Sequence, residues 1–211
     1  MKRFVSLTLA VVVAALTFAV SALGAEVTLK PIADSPIFGS APTSNYGSAT
    51  YGYWGYYNNP MRTLVKYDCS TISGTVTGVK LSFQLMSNAW LTTTQLWGCK
   101  LLADWQEMTV TYANQPAHDA TAAGRFFDKP AVSGLGPHTL DCTTTANSIV
   151  QGWISSPSTN YGIILRTQTE GNQERAYPYM KESSSQPISI IITFTSSVEP
   201  TSLGRVKALY N

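Results

Sequence analysis

Charge is what this chain has least of. Only 12% of its 211 residues are Asp, Glu, Lys or Arg, roughly half the share usual in soluble domains. The formal +2 comes from Lys2 and Arg3 at the N-terminus; without them twelve basic residues face twelve acidic ones. Such a balance leaves no field to release counterions from DNA or RNA, so nucleic acid is not an expected partner. Histidine is scarcer still. His118 and His138 stand alone, and neither belongs to a metalloprotease pair, a nucleophile elbow or another catalytic fingerprint. Cys69, Cys99 and Cys142 are an odd number, so at least one thiol is unpaired even where disulfides form. No zinc-type spacing links them to each other or to histidine. All three lie in apolar-alternating or motif positions, where cysteine serves as a small buried hydrophobe.

Long apolar runs are missing too, with one exception. Leu7 to Val20 follows Lys2 and Arg3 and precedes Ala22–Leu23–Gly24–Ala25, the layout of a secretory signal peptide. The run falls short of the roughly 20 residues a spanning helix needs. The expected organisation is a signal peptide over residues 1–24, one domain over 25–195, and a linker with a C-terminal tail over 196–211. The expected location is extracellular or at the cell surface, with no membrane attachment after cleavage.

Polarity comes instead from Ser, Thr, Asn and Gln, and 15 Gly and 11 Pro punctuate the whole length. Val79, Leu81, Phe83 and Leu85 alternate with Lys80, Ser82 and Gln84, and Ile188, Ile190, Ile192 and Phe194 repeat the pattern. Period two marks a strand with one face on a core. Further strands read as Gly24 to Asp34, Tyr51 to Tyr57, Arg62 to Asp68, Gln95 to Leu102 and Gly162 to Arg166. Ala146, Ile149, Val150 and Trp153 share one helical face, with Thr143 or Thr144 as N-cap and Pro157 as a stop. Many strands and one short helix, without βαβ alternation, make an all-β sandwich. Its expected core includes Leu81, Phe83, Leu85, Trp105, Trp153, Ile190 and Ile192.

The most suggestive chemistry is aromatic. In a regular strand Tyr51, Tyr53 and Tyr57 share one face, while Trp54 and Tyr56 share the other. Sugar rings stack their apolar C–H faces on such flat side chains. Arg62, Lys66 and Arg166 alternate on strands and could grip the carboxylate of an acidic sugar. Asp104 and Glu107 are the best-spaced carboxylate pair for acid/base work on a glycosidic bond, although turn stabilisation is the plainer role, and no catalytic residue is assigned. Asp34, Asp68 and Asp141 could contribute to a structural Ca²⁺ site, but no loop carries the ligand spacing, so no metal or other cofactor is assigned.

Four segments resemble a known family. They are Asn45–Tyr46–Gly47–Ser48; Arg62–Thr63–Leu64–Val65–Lys66–Tyr67–Asp68; Asp104–Trp105–Gln106–Glu107 through Thr111–Tyr112–Ala113–Asn114–Gln115–Pro116; and Asp141–Cys142–Thr143 leading to Val150–Gln151–Gly152–Trp153 and Asn160–Tyr161–Gly162–Ile163–Ile164–Leu165. In this order they are similar to the DNRLRE-type domain, also classed as carbohydrate-binding module family 96. The resemblance implies a secreted jelly-roll-type β-sandwich, appended to surface proteins or polysaccharide-degrading enzymes, with some members binding alginate-like polysaccharide. The chain departs from the pattern at Gly52–Tyr53–Trp54–Gly55, where relatives carry L-x-V-G, and at Met180–Lys181–Glu182, where they carry S-R-E. The functional expectation is a non-catalytic module that binds carbohydrate, acidic polysaccharide included, with other extracellular or cell-surface proteins as further partners. The alternatives are a structural subunit of a fibre, matrix or envelope, and a small polysaccharide lyase or hydrolase. The export signal carries its own prediction: N-terminal sequencing of secreted protein should find a start between Leu23 and Glu26, and a start at Met1 would refute it.

Overall fold

The clearest alternation in the sequence becomes the longest strand. The computed structural model describes residues 24–87, 95–129 and 134–195; residues 1–23 of the expected leader and the expected tail, 196–211, lie outside them. Strand β5 (Thr75–Ser87) pairs along one edge with β12 (Ser189–Thr195) and along the other with β9 (Gly136–Asp141). Beyond β12 lies β1 (Gly24–Leu29). Leu81 faces Ile190 and Val79 faces Ile192 in register, so the two apolar sets point the same way.

A second group of strands centres on β4 (Asn59–Tyr67), flanked by β2 (Pro31–Phe38), β3 (Trp54–Tyr57) and β10 (Ile163–Thr167). Next comes β6 (Leu96–Leu101), which carries the short β7 (His118–Asp119) and β8 (Arg125–Lys129). Strand β11 (Arg175–Pro178) joins the groups: Ala176 pairs with Trp54, while Tyr177 pairs with Ser87. The twelve described strands thus form one antiparallel sheet wrapped around its core.

The main core brings Val65, Tyr67, Ile163 and Leu165 against Leu81, Phe83, Ile190 and Ile192. Helix α1 (Thr144–Ser155) adds Ala146, Ile149, Val150 and Trp153, all buried as their spacing predicts. The Thr143 hydroxyl caps it by accepting from the Ala146 N–H at 3.2 Å and donating to the Arg125 carbonyl at 2.6 Å. A smaller core lies on the other face of the β4 group. There Leu64 and Ile164 meet Ile37, Cys99, Leu101, Trp105 and Val110. Strands β4 and β10 are therefore covered on both faces, which is why Leu64–Val65 and Ile163–Ile164–Leu165 read as continuous apolar runs.

All seven expected core residues are buried. Cys69 and Cys142 pack in or against the main core and Cys99 in the smaller one, all as free thiols. Burial pushes Cys69 up to about 12 and Cys99 up to about 11, which keeps both as inert thiols at neutral pH.

Three strand readings change. Gly24 to Asp34 divides at Lys30 into β1 and β2, because the two pieces join different strand groups. Strand β2 runs on to Phe38, past the expected strand end at Asp34, because β4 supplies its partner. Tyr51 to Tyr57 is regular only from Trp54. Trp153 offers a direct check. It stacks on Phe126 at 5.6 Å between centroids, so Trp153→Ala should cost about 3–5 kcal/mol through the cavity it leaves. Urea melts showing a loss below about 1 kcal/mol would contradict this packing.

Candidate functional site

Gly55 breaks the alternation of the tyrosine run. Its φ is +139°, and a Cβ there would lie 2.2 Å from the Glu174 carbonyl oxygen, so only glycine allows β3 and β11 to approach this closely. Trp54 turns inward and meets Phe83 edge-on at 5.1 Å. Tyr53 stays on the outside, half-buried, edge-to-face with Phe38 at 4.8 Å and Tyr177 at 4.9 Å. Tyr51 sits beside Tyr53 at 5.4 Å with the rings tilted by 59°, and Tyr46 closes the row against Phe38 at 4.7 Å. Tyr57 is the outermost, 54% exposed, and joins the row through Arg175, whose guanidinium lies 4.1 Å over its ring and 5.7 Å from that of Tyr177.

The structure therefore gathers Tyr51, Tyr53 and Tyr57 but does not lay them flat on one strand face. The rings stand at steep angles and wall a groove of about 580 Å³, lined by Phe38, Tyr46, Tyr51 and Tyr53 together with Pro36, Ala49 and the hydroxyl-bearing Ser48 and Thr50. Its floor is held by backbone bonds. Gly52 N–H donates to the Pro178 carbonyl at 2.7 Å and Met180 N–H to that of Thr50 at 3.0 Å. The Thr63 hydroxyl accepts from Tyr53 N–H at 3.1 Å and donates to the Tyr53 carbonyl at 2.7 Å. Tyr46 is placed by its neighbour: the Asn45 amide donates to the carbonyls of Glu107 and Val110 at 2.8 and 2.7 Å. The Asn45–Tyr46–Gly47 signature thus docks one loop on another and delivers a ring to the groove.

This geometry coincides with a family assignment, because the family model for carbohydrate-binding module family 96 matches residues 25–194. The chain belongs to carbohydrate-binding module family 96. A search of curated proteins finds no match.

The three cations singled out in this family 96 module do not meet the tyrosines. Arg62 and Lys66 project from the face of β4 opposite Thr63, beside Leu64 of the smaller core. Arg62 forks onto Glu170 with two bonds of 2.7 Å, donates to Gln115 at 2.8 Å and lies over Tyr112. Arg166 approaches the same Glu170 at 3.3 Å and His118 at 3.2 Å. Burial and these two arginines hold the His118 imidazole below its usual range, that is, neutral at physiological pH. Lys66 pairs with Asp104 at 2.7 Å. No sequence signal pointed to Glu170, Phe38, Arg175 or Tyr177, since their roles come from neighbours more than 100 residues away or from a ring on another strand.

The carboxylates are regrouped as well. Asp104 and Glu107 are held apart by different lysines, Lys66 and Lys181. Asp68 caps its own turn, accepting from Ser70 N–H at 2.9 Å, and Asp141 stands opposite Lys80 in β9, so neither joins Asp34. Instead Asp34, Glu107 and Glu182 bring carboxylate oxygens within 4.8 Å of one another. Lys181 supplies the positive charge: its ammonium contacts Glu107 at 3.0 Å and Glu182 closely, while its N–H donates to Asp34 Oδ2 at 2.9 Å. Asp34 Oδ1 is buried without a hydrogen-bond partner among the described residues.

Burial foremost, with the charges of Glu182 and Glu107 added, pushes Asp34 up to about 7 against the Lys181 N–H that lowers it. The folded state therefore favours the protonated acid. That contribution to stability is complete below about pH 4, where the unfolded chain also holds the proton, and is lost as pH rises through about 7. Asp34→Asn removes the titration while keeping an acceptor for Lys181 N–H. Denaturant melts should show the variant gaining on the parent between pH 4 and 8, by up to about 4 kcal/mol. A gap that stays constant across that range would contradict it.

Proposed function

We propose that the chain is a secreted, non-catalytic module that binds polysaccharide along the groove of Phe38, Tyr46, Tyr51 and Tyr53. Membership of family 96 supplies the class, and the pre-formed aromatic groove is the observation that carries the reading to particular residues. Tilted rings offer edges and faces to the C–H surfaces of successive sugars, and the hydroxyls of Ser48, Thr50 and the tyrosines match sugar hydroxyls. Because the floor is fixed by backbone bonds on both sides, binding needs little reordering. Secretion follows from the leader read in residues 1–24. The non-catalytic reading fits Asp104 and Glu107, which pair with different lysines, Lys66 and Lys181.

Acidic polysaccharide was the finer expectation for Arg62, Lys66 and Arg166. With those cations facing Glu170 and Asp104, stacking carries the proposal instead. The test is a glycan array on the mature protein, followed by titration of the best hit against Tyr51→Ala. Tyr51 packs on Tyr53 alone among the ring pairs, so its loss should leave the melt nearly unchanged. Affinity should fall by about 0.5–1.5 kcal/mol, a factor of roughly 2–10. Unchanged affinity in folded Tyr51→Ala would sink the assignment of the groove.

A further inference from the structure

We infer that the groove takes an uncharged polysaccharide and discriminates against uronic-acid polymers such as the alginate-like chains the family resemblance implies. The inference rests on the carbohydrate-binding reading and adds the substrate class. Its first support is the lining: eight residues, all aromatic, aliphatic or hydroxyl-bearing, and none with a charge. Recognition of a repeating carboxylate calls for a guanidinium fork or an ammonium at regular intervals. Here hydroxyls are the only polar side-chain groups offered, and hydroxyls suit other hydroxyls.

The second support is where the cations went. Arg62 and Arg166 are committed to Glu170 and Lys66 to Asp104, all on the opposite face of β4 from the Thr63 strap. Arg175 does belong to the aromatic row, but its guanidinium lies over Tyr57, 4.1 Å from the ring centre against 5.7 Å for Tyr177. There it extends the stacking surface past the groove.

The third support is the charge behind the groove. The acidic cluster is tied to the groove through three of its walls. Asp34 is two residues before Pro36 in β2. Glu107 accepts Asn45, next to Tyr46, through its carbonyl, and Lys181 follows the Met180 that bonds Thr50. One ammonium faces three carboxylates there. Lys181 is shared between Glu107 and Glu182, so the cluster has no spare cation to offer an anion. A polyanion in the groove gains no cationic partner from this cluster, whereas a neutral chain needs none.

Isothermal titration of the mature protein against neutral hexasaccharides (β-glucan, mannan and xylan types) and against hexamannuronate and hexagalacturonate tests this at low and at physiological salt. The expected result is a neutral hexamer that binds about tenfold or more tightly than either uronate, with an affinity that salt hardly changes. Tyr51→Ala should weaken it, and Ala49→Trp, which fills the groove, should abolish it if the first variant folds poorly. A uronate that binds as well as the best neutral hexamer, or whose binding falls with salt or with Arg175→Gln, overturns the inference; if Tyr51→Ala still weakens that binding, the groove reading survives. If neither variant alters binding of any hexamer, both fall.

Discussion

The site depends on one close approach of two backbones. At Gly55 the chain passes so near Glu174 that the Tyr56 N–H donates to its carbonyl at 2.7 Å, and no side chain fits between. This contact lets β11 pair with β3 on one edge while its next residues pair with β5, so a single sheet can wrap around the main core. It also rotates the tyrosine run. Trp54 enters the core, Tyr53 meets Tyr177, and Arg175 comes to rest on Tyr57. A larger residue at position 55 would separate the strand groups and the rings together.

Scarcity of charge makes the few ion pairs that form consequential. Glu170 draws Arg62 and Arg166 onto one carboxylate, and Arg62 holds the segment that carries Trp105 through Gln115 and Tyr112. Arg125 pairs with Asp128 while its guanidinium lies 3.4 Å over Trp97. Half-buried pairs of this kind add modest net stability, because desolvation offsets attraction, but breaking one strands its partner and so fixes geometry. The same economy leaves the groove without a charged wall.

Much of the framework was legible in residue order because its signals are local. Period two in Val79 to Leu85 and Ile188 to Phe194, and the helical spacing from Ala146 to Trp153, report which face each residue turns to a core. Trp105, expected in the core, is buried there, whereas the anchoring role of Asn45 shows only in its bonds to Glu107 and Val110. The site was half legible. Tyr51, Tyr53 and Tyr57 announced themselves as neighbours in sequence, and they are neighbours in space. Arg62, Lys66 and Arg166 looked equally suited to an acidic ligand, since strand alternation shows that a side chain leaves the sheet but not what waits on the other side.

Composition, periodicity and turn residues by themselves determined the all-β class, the one capped helix, the core-facing residues of the long strands and the inert cysteines. Each follows from interactions within a few residues or from one strand face. Only the tertiary structure decided that Asp34 joins Glu107 and Glu182 rather than Asp68 and Asp141, that Glu170 absorbs two arginines, and that Phe38 and Tyr177 complete the tyrosine row. The acidic group is held by a bond from Lys181 N–H to Asp34, 147 positions apart. The pairing in all these contacts is set by strand order and by the positive φ of Gly55, which burial of apolar surface selects across the whole chain and no short stretch of sequence encodes.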